Sequence, residues 1–226
     1  MSILACGPPA LEILNLSCAP TGEPPLRGIT LSVSAGEFIA LIGPNGSGTE
    51  TLCRCLAGLR ASISGRILIH GAPMEPQAWG PARGGLYVML RGRHTFNEMT
   101  VHDNLLASPG AWTKKRSTRL DEVFRLFPVL AERRHQVAGN LSGGERQMLA
   151  IGRALLANPR VLLIEDPFMG LSPKVMGEVM EAMVSISRRG VAVLTTGEGL
   201  RDVPRLVDRT VTISNGRVVE DDVDGM

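Results

Sequence analysis

Short apolar runs and helical stripes alternate along the 226 residues of the chain. Phe38-Ile39-Ala40-Leu41-Ile42 and Val161-Leu162-Leu163-Ile164 are uncharged, rich in β-branched residues and closed at once by turn or acidic residues. Such runs read as strands buried on both faces of a parallel sheet. A third run, Val191-Ala192-Val193-Leu194-Thr195, follows a helical stretch from about Pro173 to Arg189. Strand, helix and strand in succession imply right-handed crossovers with helices on both faces. The opening segment differs. Leu11-Glu12-Ile13-Leu14 and Ile29-Thr30-Leu31-Ser32-Val33 alternate in polarity across a Pro/Gly-rich connection, which predicts an antiparallel flank.

Between Asn97 and Asn158 the period becomes helical, through Val101, Leu105 and Leu106, then Leu120, Val123, Phe124 and Phe127, then Met148, Leu149, Ile151, Leu155 and Leu156. The pattern predicts one α/β domain in which residues 1–96 and 158–226 form the core with its β flank, and residues 97–157 a helical subdomain. Met176, Met180 and Met183 recur at helical spacing and are expected in the core. Lys114-Lys115-Arg116 reads as a solvated connection, and the acidic tail Glu220-Asp221-Asp222-Val223-Asp224 as a frayed end. His94 and His102 lack a metal partner at fixed spacing.

Composition narrows the class. An apolar content of 44% supports a packed core and excludes a disordered or fibrous chain. The longest uncharged run, Phe38 to Thr49, falls short of the roughly 18 residues a bilayer span needs. The N-terminal residues show no secretory signal, so a cytoplasmic location is expected. A net charge of +2, from 24 basic and 22 acidic residues, is too balanced for nucleic-acid binding by charge alone. Cys6, Cys18, Cys53 and Cys55 form neither a C-x-x-C pair nor a regular framework and are expected as reduced, buried side chains.

Directly after the first buried strand stands Gly43-Pro44-Asn45-Gly46-Ser47-Gly48-Thr49-Glu50-Thr51, followed by a helical stripe of Leu52, Cys55, Leu56 and Leu59. Strand, Gly-rich loop and helix form the context of a phosphate cradle, in which backbone N–H groups and a helix N-terminus converge on one anion. A working phosphate loop reads G-x-x-x-x-G-K-S/T, the lysine meeting the outer phosphates and the hydroxyl holding magnesium. Here Thr49 and Glu50 occupy those two places, which removes one positive charge and adds one negative. At about 4 Å and an effective dielectric of about 20, each unit pair is on the order of 4 kcal/mol before screening. The loop is therefore expected to be impaired in nucleotide binding, with Glu50 as a magnesium ligand the alternative.

Farther on, Leu141-Ser142-Gly143-Gly144-Glu145-Arg146-Gln147 opens a helix, and Val161-Leu162-Leu163-Ile164-Glu165-Asp166-Pro167 ends a strand on two acids. With the phosphate loop in this order, the chain resembles the ATPase subunits of ABC transporters over nearly its whole length. Gly92-Arg93 with Phe96, Thr100-Val101, Asn104-Leu105, Leu126-Phe127-Pro128, Glu132-Arg133-Arg134, Gln147 to Leu155 and Met169-Gly170-Leu171-Ser172-Pro173 are similar to the second ATPase subunit of branched-chain amino acid, amide or urea importers. The resemblance implies a P-loop fold with a mostly parallel sheet, ATP and Mg²⁺ as cofactors, and a peripheral location at the inner face of the membrane. Its implied partners are two permease subunits and a second ATPase subunit, in a heterodimer or a homodimer. The surface between Ala78 and Asn104 would face the permease, with Trp79 and Trp112 open between packing and docking.

The departures cluster in the chain's own nucleotide site. The family's catalytic Asp-Glu pair stands here as Glu165-Asp166; Asp166 reaches one methylene less toward water, and Glu165 is the implied magnesium ligand. Arg91 aligns with the loop position that carries Gln or Glu in the family, and Pro20 with the ring that stacks on adenine. The switch histidine is absent, its place falling at Gly197 or Glu198. Catalytic dimers of this family are head-to-tail, so Leu141 to Gln147 would face a partner's nucleotide, and these residues are unchanged. The resemblance thus implies an ATP-binding cassette subunit with an impaired site of its own and an intact signature for its partner. The alternatives are an active ATPase that tolerates the substitutions and a non-catalytic regulator with the ABC fold.

Overall fold

The computed structural model describes residues 8–19, 22–23, 25–60, 64–74, 84–92, 95–108, 116–197 and 206–223. Cys6, Pro20, Ala78, Trp79, Arg93, His94, Trp112, Lys114, Lys115, Glu198 and Asp224 lie outside them.

Two sheets organise the chain. The first, ordered β2-β1-β4-β5, is antiparallel and comprises β1 (Leu11–Cys18), β2 (Leu26–Val33), β4 (Ser64–Ile69) and β5 (Ala72–Pro73). Leu11 opposes Val33 and Ile13 opposes Leu31, the two alternating segments read as the flank. The second sheet, ordered β10-β9-β3-β8-β7-β6, contains β3 (Phe38–Ile42), β6 (Leu86–Met89), β7 (Val161–Glu165), β8 (Ala192–Thr196), β9 (Arg209–Ser214) and β10 (Arg217–Val223). Its pairings are parallel except β9 with β10.

The parallel strands are buried on both faces, and successive side chains enter different cores. Phe38 and Ala40 of β3, Leu162 and Ile164 of β7 and Val193 of β8 pack with the helices of residues 101–187. Ile39, Leu41, Val161, Leu163, Ala192 and Leu194 pack against the antiparallel sheet and α1 (Thr49–Leu56). That double burial is why these strands read as unbroken apolar runs.

The helical segment contains α2 (Val101–Leu106), α3 (Arg116–Leu126), α4 (Pro128–Glu132) and α5 (Gly143–Leu156). Val101, Leu105, Val123, Phe127, Met148, Leu149 and Ile151 join one core. After β7, α6 (Pro173–Ser187) buries Met180 and Met183, with Met176 partly covered, so the methionine stripe is core packing. Cys18, Cys53 and Cys55 are buried thiols. Among the described residues no helix is long and apolar enough to cross a membrane.

Two expectations need correction. The acidic tail is a strand as far as Val223: Asp221 opposes Val211 and pairs with Arg209 Nε at 3.1 Å, and the Thr212 hydroxyl donates to Glu220 at 3.4 Å. Complementary groups on β9 offset the repulsion that favoured fraying. The stripe through Leu59 ends early, because α1 stops at Leu56 and Leu59 is 49% exposed.

Candidate nucleotide site

β3 delivers the chain into the Gly-rich loop, and α1 starts at Thr49 with Gly48 as its N-cap. Gly48 has φ +106 and Gly46 φ +80, conformations that glycine reaches without penalty. Gly43 is tightly enclosed, since a Cβ there would collide with the Ile213 carbonyl and the Ser47 side chain. The loop is cross-braced: the Ser47 N–H donates to the Pro44 carbonyl at 2.9 Å, and the Gly216 N–H donates to the Ser47 carbonyl at 2.7 Å. Gly216 belongs to the Asn215-Gly216 turn between β9 and β10, with both residues at positive φ, as a tight hairpin requires. Asn215-Gly216 between two alternating segments is the sequence signal for this hairpin, and it lies far from the phosphate-loop motif that it braces.

A cavity of about 450 Å³ opens over the loop, lined by Gly43, Pro44, Asn45, Gly46, Gly48, Thr49, Glu50, Thr51, Arg91, Glu165 and Asp166. Of the phosphate-loop residues, Arg91 and the acidic pair, all border it except Ser47, whose side chain is buried and stands 3.3 Å from the Thr49 hydroxyl. Glu50 is not directed at the loop alone: its carboxylate meets Arg54 Nη2 at 2.5 Å, one turn along α1. Arg54 also reaches Glu23, which in turn holds Arg60 at 2.6 Å. The expected repulsion between Glu50 and a bound phosphate is accordingly reduced, because a neighbouring cation shares that charge.

The acidic pair ends β7. Glu165 is 8% exposed and accepts the Arg91 backbone N–H at 2.8 Å. Burial raises its carboxyl above the usual glutamate value; the Arg91 N–H opposes that rise, and the negative charge of Glu50 adds to it. Asp166 takes φ +54, donates its N–H to the Thr196 carbonyl at 3.0 Å, and accepts Arg91 Nη2 on Oδ2 at 2.8 Å. Gly197 has φ +141, and a Cβ there would lie 2.8 Å from Asp166 Oδ1. A side chain at position 197 would thus have to adopt this positive φ and displace the Asp166 carboxylate.

The cradle for a phosphate is built and braced by main-chain groups. Thr49 and Glu50 replace the lysine and hydroxyl, and Glu50 is engaged by Arg54.

The signature residues do not line this cavity, although Arg146 and Gln147 border an adjoining hollow together with Glu165 and Asp166. Ser142 caps α5 in a reciprocal box: its hydroxyl accepts the Glu145 N–H at 3.2 Å, and its own N–H donates to Glu145 Oε2 at 2.7 Å. Arg133 pairs with Glu145 at 2.9 Å, and Arg146 donates to the Leu141 carbonyl at 2.8 Å. Leu141 and Gln147 are buried, and a Cβ on Gly144 would strike Val175, so α5 and α6 can approach only through glycine here. Gly143 forms the first turn of α5, whose N-terminus carries the positive end of the helix dipole.

Part of the surface expected to dock is also described. Asn104 is fully buried and ties down the segment before α2, accepting the Phe96 N–H at 2.8 Å and donating to the Phe96, Met99 and Thr100 carbonyls. Phe96 is presented 48% exposed, with the Arg153 guanidinium 4.5 Å from its ring centre.

A family model described as ABC transporter matches residues 26–169. The chain is 38% identical over 200 residues to the high-affinity branched-chain amino acid transport ATP-binding protein BraG of Pseudomonas aeruginosa, covering 87% of this chain and 85% of that one. It is 31% identical over 201 residues to the glutamate transport ATP-binding protein GluA of Corynebacterium efficiens, covering 87% and 83%. Its fold superposes on a solved ATP-binding subunit of an ABC transporter with a TM-score of 0.81 at 28% identity, over 95% of this chain and 90% of the other.

Proposed function

The chain belongs to the ABC transporter family as an ATP-binding subunit, and from that premise we propose that it serves a branched-chain amino acid or related amide importer with an impaired nucleotide site of its own. Its signature, Leu141 to Gln147, completes the site of a partner ATPase in a head-to-tail heterodimer. One observation carries this reading. The box between Ser142 and Glu145 is fully formed, with Arg133 supporting it, while Thr49 and Glu50 stand where the phosphate loop needs a lysine and a hydroxyl.

In this reading, ATP held by the partner's phosphate loop is met by the N-terminus of α5, where N–H groups and the helix dipole favour negative charge. The chain's own Glu165 and Asp166 contribute little hydrolysis, since no lysine meets the outer phosphates and Asp166 reaches one methylene less toward water than a glutamate would. Residues 97–157 act as the helical subdomain that carries the signature. The subunit sits at the inner face of the membrane, and Phe96, Leu59 and the 310 Å³ hollow bordered by Tyr87, Met89 and Arg153 meet the permease.

The test is ATP hydrolysis by the transporter assembled with its partner ATPase and permease. Ser142→Arg, which blocks the α5 N-terminus, is expected to abolish at least nine-tenths of the activity, whereas Glu165→Gln in this chain leaves most of it. Full activity in Ser142→Arg, or hydrolysis by this chain alone that vanishes in Glu165→Gln, overturns the proposal.

A further inference from the structure

We propose that Arg91 replaces the missing phosphate-loop lysine, so that this chain's own site binds ATP through its phosphates without requiring magnesium. The inference rests on the reading that this site is impaired for magnesium-dependent hydrolysis and specifies what the impaired site still does.

The charges around the cavity point this way. Among the described residues that line it, Arg91 is the one cation, against the carboxylates of Glu50, Glu165 and Asp166. Its side chain is 58% exposed, and its guanidinium spends one N–H on Asp166 Oδ2 at 2.8 Å. A guanidinium carries five N–H donors in a planar fork that matches phosphate oxygens. An ion pair this exposed is weak and easily exchanged. A phosphate in the cradle therefore competes with Asp166 for Arg91 and offers it two-point contact in place of one.

The backbone holds Arg91 at the cavity. Its N–H is fixed on Glu165 at 2.8 Å, and residue 91 stands two positions past the end of β6. The cradle itself needs no side chain, because its donors are main-chain groups held by the Gly43, Gly46 and Gly48 turns and by the Gly216 brace. Magnesium loses its usual anchor. Residue 50 offers a carboxylate drawn onto Arg54 instead of a hydroxyl beside the phosphates.

Equilibrium binding of ATP to the purified full-length chain, with EDTA or with excess Mg²⁺, tests this. The unaltered chain is expected to bind with affinities within about threefold in the two conditions. Arg91→Gln should weaken binding in EDTA at least tenfold, and Arg91→Lys less, with melting temperatures measured to verify folding. Asp166→Asn, which releases Arg91 from its pair, should tighten binding two- to fivefold, and the gain should shrink in an Arg91→Gln background, which loss of the Asp166 charge alone would not cause. Equal binding by Arg91→Gln and the unaltered chain overturns the proposal, as does binding that disappears in EDTA. No binding by the unaltered chain in either condition also overturns it, while leaving the Ser142→Arg result, and with it the partner-site function, to stand on its own.

Discussion

The Gly216 N–H donates to the Ser47 carbonyl at 2.7 Å, tying the last hairpin of the chain to the bend of its phosphate loop. Neither partner uses a side chain, and Gly216 is the residue the geometry demands. It sits at φ +74, and a Cβ there would collide with the Pro25 carbonyl.

Gly216→Val should therefore destabilise the fold by about 2–3 kcal/mol, from left-handed backbone strain together with a steric clash. Urea denaturation checks this. The expected result is a lower midpoint with an unchanged slope.

Glu165 gives a pH signature. Its carboxyl is raised, with burial the main cause, so the folded chain binds a proton more readily than the unfolded one. A raised acid makes stability fall as pH rises from the ordinary glutamate value of 4.5 through the folded value. Glu165→Gln removes that dependence. Relative to the unaltered chain, the variant should gain stability between pH 4.5 and pH 7, read as diverging melting temperatures.

Asn104→Ala should cost about 2–4 kcal/mol, because it strips partners from the Phe96 N–H and from carbonyls in a segment that a buried side chain organises. Chemical denaturation reads the loss. Binding to permease in detergent should weaken as well, since Phe96 loses its fixed position.

Cys18, Cys53 and Cys55 should resist iodoacetamide at pH 7.5 in the folded chain and react on unfolding. Burial excludes the reagent from all three, and it pushes the thiols of Cys53 and Cys55 up, Cys55 to about 12, so little thiolate forms. Peptide mapping by mass spectrometry after timed alkylation distinguishes the sites.

The parallel strands were legible because double burial writes a continuous apolar run, and the phosphate loop and signature because their glycines and caps obey local rules. Phe38 to Ile42, Val161 to Glu165 and Ser142 to Gln147 each carry their structure within a few residues. What the sequence concealed is long-range. The Glu50–Arg54 pair, four apart on α1, is a local signal, but the contact of Arg54 with Glu23 is not, and the closeness of Arg91 to Asp166 arises from the pairing of β6 with β7. The strand at the acidic end is hidden for the same reason: Arg209, which pairs with Asp221, and the Thr212 hydroxyl, which donates to Glu220, lie on another strand.

The central strand of the larger sheet is among the first to be synthesised and among the last to find both neighbours. β3 lies between β8 and β9, and the Phe38 N–H donates to an Asp208 carboxylate 170 residues away. On a ribosome, the nascent phosphate loop must wait until nearly the whole chain has emerged, with an apolar strand unpaired in the meantime. A premature stop before β9 would accordingly yield an aggregation-prone product and not a smaller working cassette.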